Sequence, residues 1–170
     1  LGTTPRLLAE GIPDAAFKAL EGDDKEVVKA LKKRNKLERH GQETLLFGPS
    51  ANDLAASVSH AVAEIDAMPQ DTVAELEAKE RRWLLHLHSD ELGRAELAAN
   101  AWCAAFVSRK VQGAPVITDA FVRQALAHAA GALPRETVDE VVALSGEYRF
   151  LHPHLAFPDV FSMSRDLPAP

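Results

Sequence analysis

The chain has a single cysteine, Cys103, among its 170 residues. One thiol excludes an intramolecular disulfide and a cysteine-rich zinc site, and it points to a reducing cytoplasm or to indifference to the compartment. Long apolar runs are missing as well: none approaches the roughly 18 residues that a membrane span needs. The opening Leu1-Gly2-Thr3-Thr4-Pro5 has neither the basic start nor the apolar stretch of a secretory signal. No alternating run is long enough to build a sheet, and no internal repeat is visible. Glycine-rich nucleotide loops, a Gly-x-Ser-x-Gly elbow and a His-Glu-x-x-His zinc motif are all absent. The composition, 46% hydrophobic and 26% charged with a net charge of -6, is that of a globular domain. An acidic balance argues against a dedicated nucleic-acid binder, but the charge is unevenly spread.

What the chain does contain reads as helices throughout. Thr4 before Pro5 is a cap followed by a first-turn proline, and Gly11 closes a short helix Pro5–Glu10. Gly22-Asp23-Asp24 opens a second that runs to about His40, before Gly41. Pro49-Ser50 starts a third through Met68, and Thr72-x-x-Glu75 is a capping box for a long helix carrying Leu76, Trp83, Leu84 and Leu87. Ser89-Asp90-Glu91 breaks or recaps that helix, with Leu92–Val107 following. Gly113-Ala114-Pro115 is a loop, Thr118-Asp119 caps the next helix, and Gly131–Pro134 precedes a last one from Arg135 to about Tyr148. The fold class is mainly α, and the length suits one helical domain or a domain-sized insertion over 1–170.

The stretch Phe150–Phe161 stands apart. Pro153 and Pro158 forbid helix continuation and bias their predecessors towards extended backbone, which predicts a short extended C-terminal segment. It is followed closely by Asp166-Leu167-Pro168-Ala169-Pro170, so the expectation is a piece of a longer protein.

Three features bear on function. In the helix from Lys25, the residues Lys25, Lys29, Lys32, Lys36 and Arg39 fall within an arc of about 80°, away from Val27, Val28 and Leu31. Residues 25–39 carry seven bases against two acids. Such a stripe is either a solvated face or a track for phosphates, and its lack of aromatics favours backbone contact over base reading. Secondly, Leu92, Ala95, Ala99, Trp102 and Phe106 recur at three- and four-residue steps, as expected of a helix–helix seam. Cys103 beside them has no basic neighbour in sequence to activate it. Thirdly, His86 and His88 point to different sides of one helix, whereas His152 and His154 point the same way in an extended segment. Two imidazoles leave a zinc site unfinished, so no metal ligand, cofactor-binding or catalytic residue is assigned.

Several stretches resemble the middle of large bacterial adenine-N6 DNA methyltransferases, the type IIG restriction–modification enzymes and their phage-defence relatives. These are Leu1–Pro5, Leu8–Phe17, Glu21–Lys25, Ala101–Val107, Glu147–Phe150 and His152–Phe161, in family order. The resemblance implies a helical insertion between the cofactor-binding half of a Rossmann-like sheet and the catalytic Asn-Pro-Pro-Tyr/Trp loop. Trp102, Phe106, Phe157 and Phe161 are then packing landmarks. The catalytic loop and the glycine-rich turn for S-adenosylmethionine both lie outside this chain, so the segment alone is expected to be inactive. Asn100 stands where the family often has Asp, Ser108 where it has an aromatic, and Pro153 where it has Trp. The implied partners are the rest of the methyltransferase and, through it, DNA, in the cytoplasm and without a membrane. Two other readings stay open: a helical interaction module working through the Trp102/Phe106 seam, and a small non-enzymatic DNA-binding protein.

Overall fold

A computed structural model describes residues 1–41 and 49–162 of the chain. Among these residues the structure is helical and contains no strand. The helices are α1 (Pro5–Glu10), α2 (Lys25–His40), α3 (Ala51–Asp66), α4 (Val73–Leu87), α5 (Asp90–Val107), α6 (Asp119–Ala127), α7 (Arg135–Tyr148), α8 (Pro153–Ala156) and α9 (Pro158–Ser162). Short 3₁₀ turns occupy Asp14–Phe17 and Ala130–Ala132.

Local chemistry accounts for most boundaries. The Thr4 hydroxyl accepts from the Leu7 amide and Pro5 occupies the first helical position of α1. The Asp24 carboxylate accepts from the amides of Glu26 and Val27 at the start of α2. Reciprocal capping boxes, Ser50 with Asp53 and Thr72 with Glu75, open α3 and α4.

The architecture is organised around α5. Ala95, Ala98, Ala99, Ala101, Cys103 and Ala105 are all buried, over more than half of the helix circumference, which is the mark of a central element. Their small side chains let α6 and α7 pack closely, while α3, α1 and α8 cover the remaining sides. Trp102 is buried here, its ring 5.0 Å from that of the half-buried Phe106. The seam is therefore interior, which removes it as an outward docking surface.

The C-terminal stretch departs from the sequence expectation. Phe150–Phe161 does not run extended: Pro153 and Pro158 each begin a helical turn, α8 and α9. Proline lacks only an amide that a first turn leaves unbonded in any case, and its fixed φ suits that position. Each proline thus ends one path and starts a new helix. Phe157 and Phe161 are also about half exposed rather than packed. The run Asp166–Pro170 lies outside the described residues.

Candidate functional site

The amines of Lys25, Lys29, Lys32 and Lys36 are exposed along α2, while Val28 and Asn35 face the core. Two of the five stripe cations have acidic company. Lys32 Nζ lies 3.5 Å from Asp14, and Arg39 lies 3.8 Å from the same carboxylate. Arg39 also donates to the Ile12 carbonyl at 3.1 Å and is partly buried, so its guanidinium is turned towards the protein rather than outward. Arg39 is therefore less available at the surface than the four lysines. Its place at the edge of the stripe, next to the buried face, explains why.

The Gly11–Ile12 turn that receives Arg39 is bonded from several helices at once. Asn35 Nδ2 donates to the Ile12 carbonyl at 2.8 Å, and Trp102 Nε1 donates to the Gly11 carbonyl at 3.1 Å. The Ile12 amide donates to the buried Asp119 carboxylate at 3.1 Å, while the Asp119 amide donates to Asn35 Oδ1 at 2.8 Å. A turn buried this deeply must have its polar backbone satisfied, and side chains of α2, α5 and α6 do so. Gly11 has φ +80° and ψ -179°, a region essentially reserved for glycine, and a Cβ there would run into the Asp119 carboxylate.

A second buried network joins residues far apart in the chain. The Thr3 amide donates to His152 Nδ1 at 3.2 Å, and His152 Nε2 lies 2.9 Å from Asn100 Oδ1. Because the backbone N–H requires Nδ1 to accept, the proton of the neutral ring sits on Nε2 and is donated to Asn100. His154 Nδ1 donates to the Thr3 carbonyl at 3.2 Å, and the Leu151 amide donates to the Leu1 carbonyl at 3.0 Å. Burial, the neighbouring His154 and the terminal amine together push His152 down to about 4. Burial lowers His154 too, against the opposing effect of its bond to Thr3. Both rings are occupied as neutral hydrogen-bonding groups.

The remaining reactive types are placed elsewhere. Burial raises the Cys103 thiol to about 11, so it is held as a thiol and not a nucleophile. His86 is buried under α4 while His88 is exposed at its end. Among the described residues no group of three or more His, Cys, Asp or Glu could hold a metal ion. No helix of the described residues is long and apolar enough to cross a membrane.

The sequence pattern does not single out Asn35, and it marks Gly11 only as the close of a short helix. Asn35 did leave a trace, as a polar residue on the Val28–Leu31 side of α2. Asp119 was recognised only as part of a helix start, and its reach back to Ile12 is a tertiary fact. Comparison with protein-family models, with curated proteins and with solved structures gives no match for this chain.

Proposed function

We propose that this chain is a helical insertion of a cytoplasmic adenine-N6 DNA methyltransferase of the restriction–modification or phage-defence kind. In that setting it acts as a scaffold and touches the DNA backbone through Lys25, Lys29, Lys32 and Lys36. S-adenosylmethionine and the catalytic Asn-Pro-Pro loop belong to the rest of such an enzyme.

One observation carries the reading: the clasp between Leu1–Thr3 and Leu151–His154. A segment inserted into a sheet has to leave its host and return at nearly the same place, and these two stretches lie side by side. The same clasp joins two of the stretches on which the resemblance rests, through Thr3 and His152. The exposed amines of α2 add a cationic face to an otherwise acidic chain.

Two experiments test this reading. Sequencing the gene on both sides of this segment should show a frame running on into an Asn-Pro-Pro-Tyr/Trp codon run; stop codons close outside both ends would refute the insertion. DNA contact is tested by measuring affinity for duplex DNA across a salt series. Replacing Lys29, Lys32 and Lys36 together by Gln should flatten the log–log salt slope by about 2 to 3 units, since each neutralised phosphate contributes about 0.9. Lys33→Gln with Arg34→Gln should change it less. An unchanged slope in the triple variant would leave α2 as a solvated face.

A further inference from the structure

Helix α4 carries its apolar side outward. Val73, Leu76, Trp83, Leu84 and Leu87 are 40% to 73% exposed. At 100° per residue they lie within about 100° of arc centred near Glu80. The side turned towards the rest of the protein is the more polar one. There Lys79 donates to the Asp66 carbonyl at 3.1 Å, Arg82 lies 3.8 Å from Glu64, and His86 is buried. An amphipathic helix that turns polar residues inward and exposes its apolar stripe has a second surface to cover.

The stripe continues into a cleft of about 380 Å³ between α4, α5 and the turns around α8. Trp83 and Leu87 form one wall, Phe150, Leu151 and Leu155 another, and Glu96 lies within it.

Charge decides between possible occupants. The arginines of α4 are paired, Arg81 with Glu77 at 3.9 Å and Arg82 with Glu64, and Lys79 lies off the stripe on the inner side, donating to the Asp66 carbonyl and to Gln70. Glu80, at the centre of the stripe, and Glu96, in the cleft, have neither a hydrogen bond nor an ion pair among the described residues. The free charge on this surface is therefore negative. A second copy fits badly: the stripe is symmetric about Glu80, with Val73 opposite Leu87 and Leu76 opposite Leu84. Antiparallel self-pairing would set two Glu80 carboxylates against each other. An anionic membrane is disfavoured by the same carboxylates and by the chain's net charge of -6.

We propose that the outer face of α4, with the adjoining cleft, is a docking groove for an amphipathic helix of another polypeptide segment that places a Lys or Arg among its apolar residues opposite Glu80. The mode is helix-in-groove binding, with anchors three and four residues apart on both sides. α4 has 15 residues and so spans about 22 Å, long enough to meet about four turns of a partner. The inference stands on α4 itself and does not depend on the methyltransferase reading.

The test uses the full chain and a fluorescent synthetic peptide of about five helical turns, with leucines at helical spacing and one central lysine. Anisotropy titration should give saturable binding with a Kd on the order of 10 μM. The same peptide with glutamate in place of the lysine should bind at least about tenfold more weakly, because like charges then face each other. Leu76→Glu and Leu84→Glu, made separately, should each abolish binding while leaving the thermal melt unchanged, since both side chains are exposed. Glu80→Gln should remove most of the lysine-over-glutamate preference. The proposal is overturned if the lysine peptide fails to bind, or binds Leu84→Glu as well as the parent. It is equally overturned if sedimentation finds a dimer that Leu84→Glu dissolves, or if vesicles of phosphatidylcholine and phosphatidylglycerol bind the parent but not that variant.

Discussion

Acidification should loosen the clasp at His152 before most carboxylates titrate. In the folded chain burial holds this imidazole at about 4, against an ordinary value of 6.5. The folded pKa is depressed, so near neutrality both states are neutral and the ring contributes no pH dependence. Below about 6.5 the unfolded chain takes up a proton that the folded chain refuses, and stability falls until the folded ring itself titrates near 4. At about 1.4 kcal/mol per pKa unit, the loss across that window is about 3 kcal/mol. Protonation would also oppose Nδ1–H to the Thr3 amide, so the Thr3 bond would break rather than weaken. His154, lowered as well, adds loss in the same direction, whereas Glu96, raised by burial, works the opposite way. The assay is a set of urea melts from pH 7.5 to 4, comparing the parent with His152→Gln. The variant should start less stable and decline more shallowly, and the difference between the curves isolates His152. Asn100→Asp, which faces a carboxylate to Nε2, should raise the His152 pKa and shift the decline to lower stability loss. If His152→Gln loses as much stability as the parent over this range, His152 titrates like a solvated residue and the clasp does not exclude water.

Two further expectations concern the core. Gly11→Ala should lower stability by at least about 2 kcal/mol in a urea melt, because it combines a backbone region that alanine avoids with a collision at Asp119. An unchanged midpoint would mean that the turn is free to move. Trp102→Ala should cost about 3–5 kcal/mol, combining a cavity with the loss of the bond to the Gly11 carbonyl. Superimposable melts would place the indole at the surface.

Helix positions were legible in the sequence because their signals are local. Thr4-Pro5, Ser50 with Asp53, and Thr72 with Glu75 act within four residues, and the seven longer elements fall close to where those signals put them. The C-terminal turns were misread because proline has two local meanings. After Arg149, whose φ of 48° ends α7, the prolines could either extend the chain or restart it, and packing against α3 and α5 selects restart. The orientation of α4 was hidden for another reason: periodicity reveals an apolar stripe but not which way it points. Arg39 illustrates the same limit at one residue. Its angle on α2 is right for the stripe, but only the fold brings the Ile12 carbonyl and Asp14 to meet it. The buried networks were invisible because Thr3, Asn100 and His152 are joined across about 50 to 150 residues.

The Gly11–Ile12 turn also constrains when the molecule can become native during synthesis. Its partners sit at Asn35, Trp102 and Asp119, so a ribosome must deliver α6 before the turn can be fastened. Until then α1 and α2 have only their own backbone bonds and local contacts such as those of Asn35 and Arg39 to the Ile12 carbonyl, and short helices of this kind are marginal in water. Residues 1–12, made before α6, therefore become fixed late, and Ile12 is handed over to a helix translated about a hundred residues afterwards. Such long-range closure slows folding and leaves the early helices dependent on what emerges behind them. An amide-exchange signal at Ile12 would consequently report completion of the whole α1–α2–α5–α6 assembly rather than the order of any one helix.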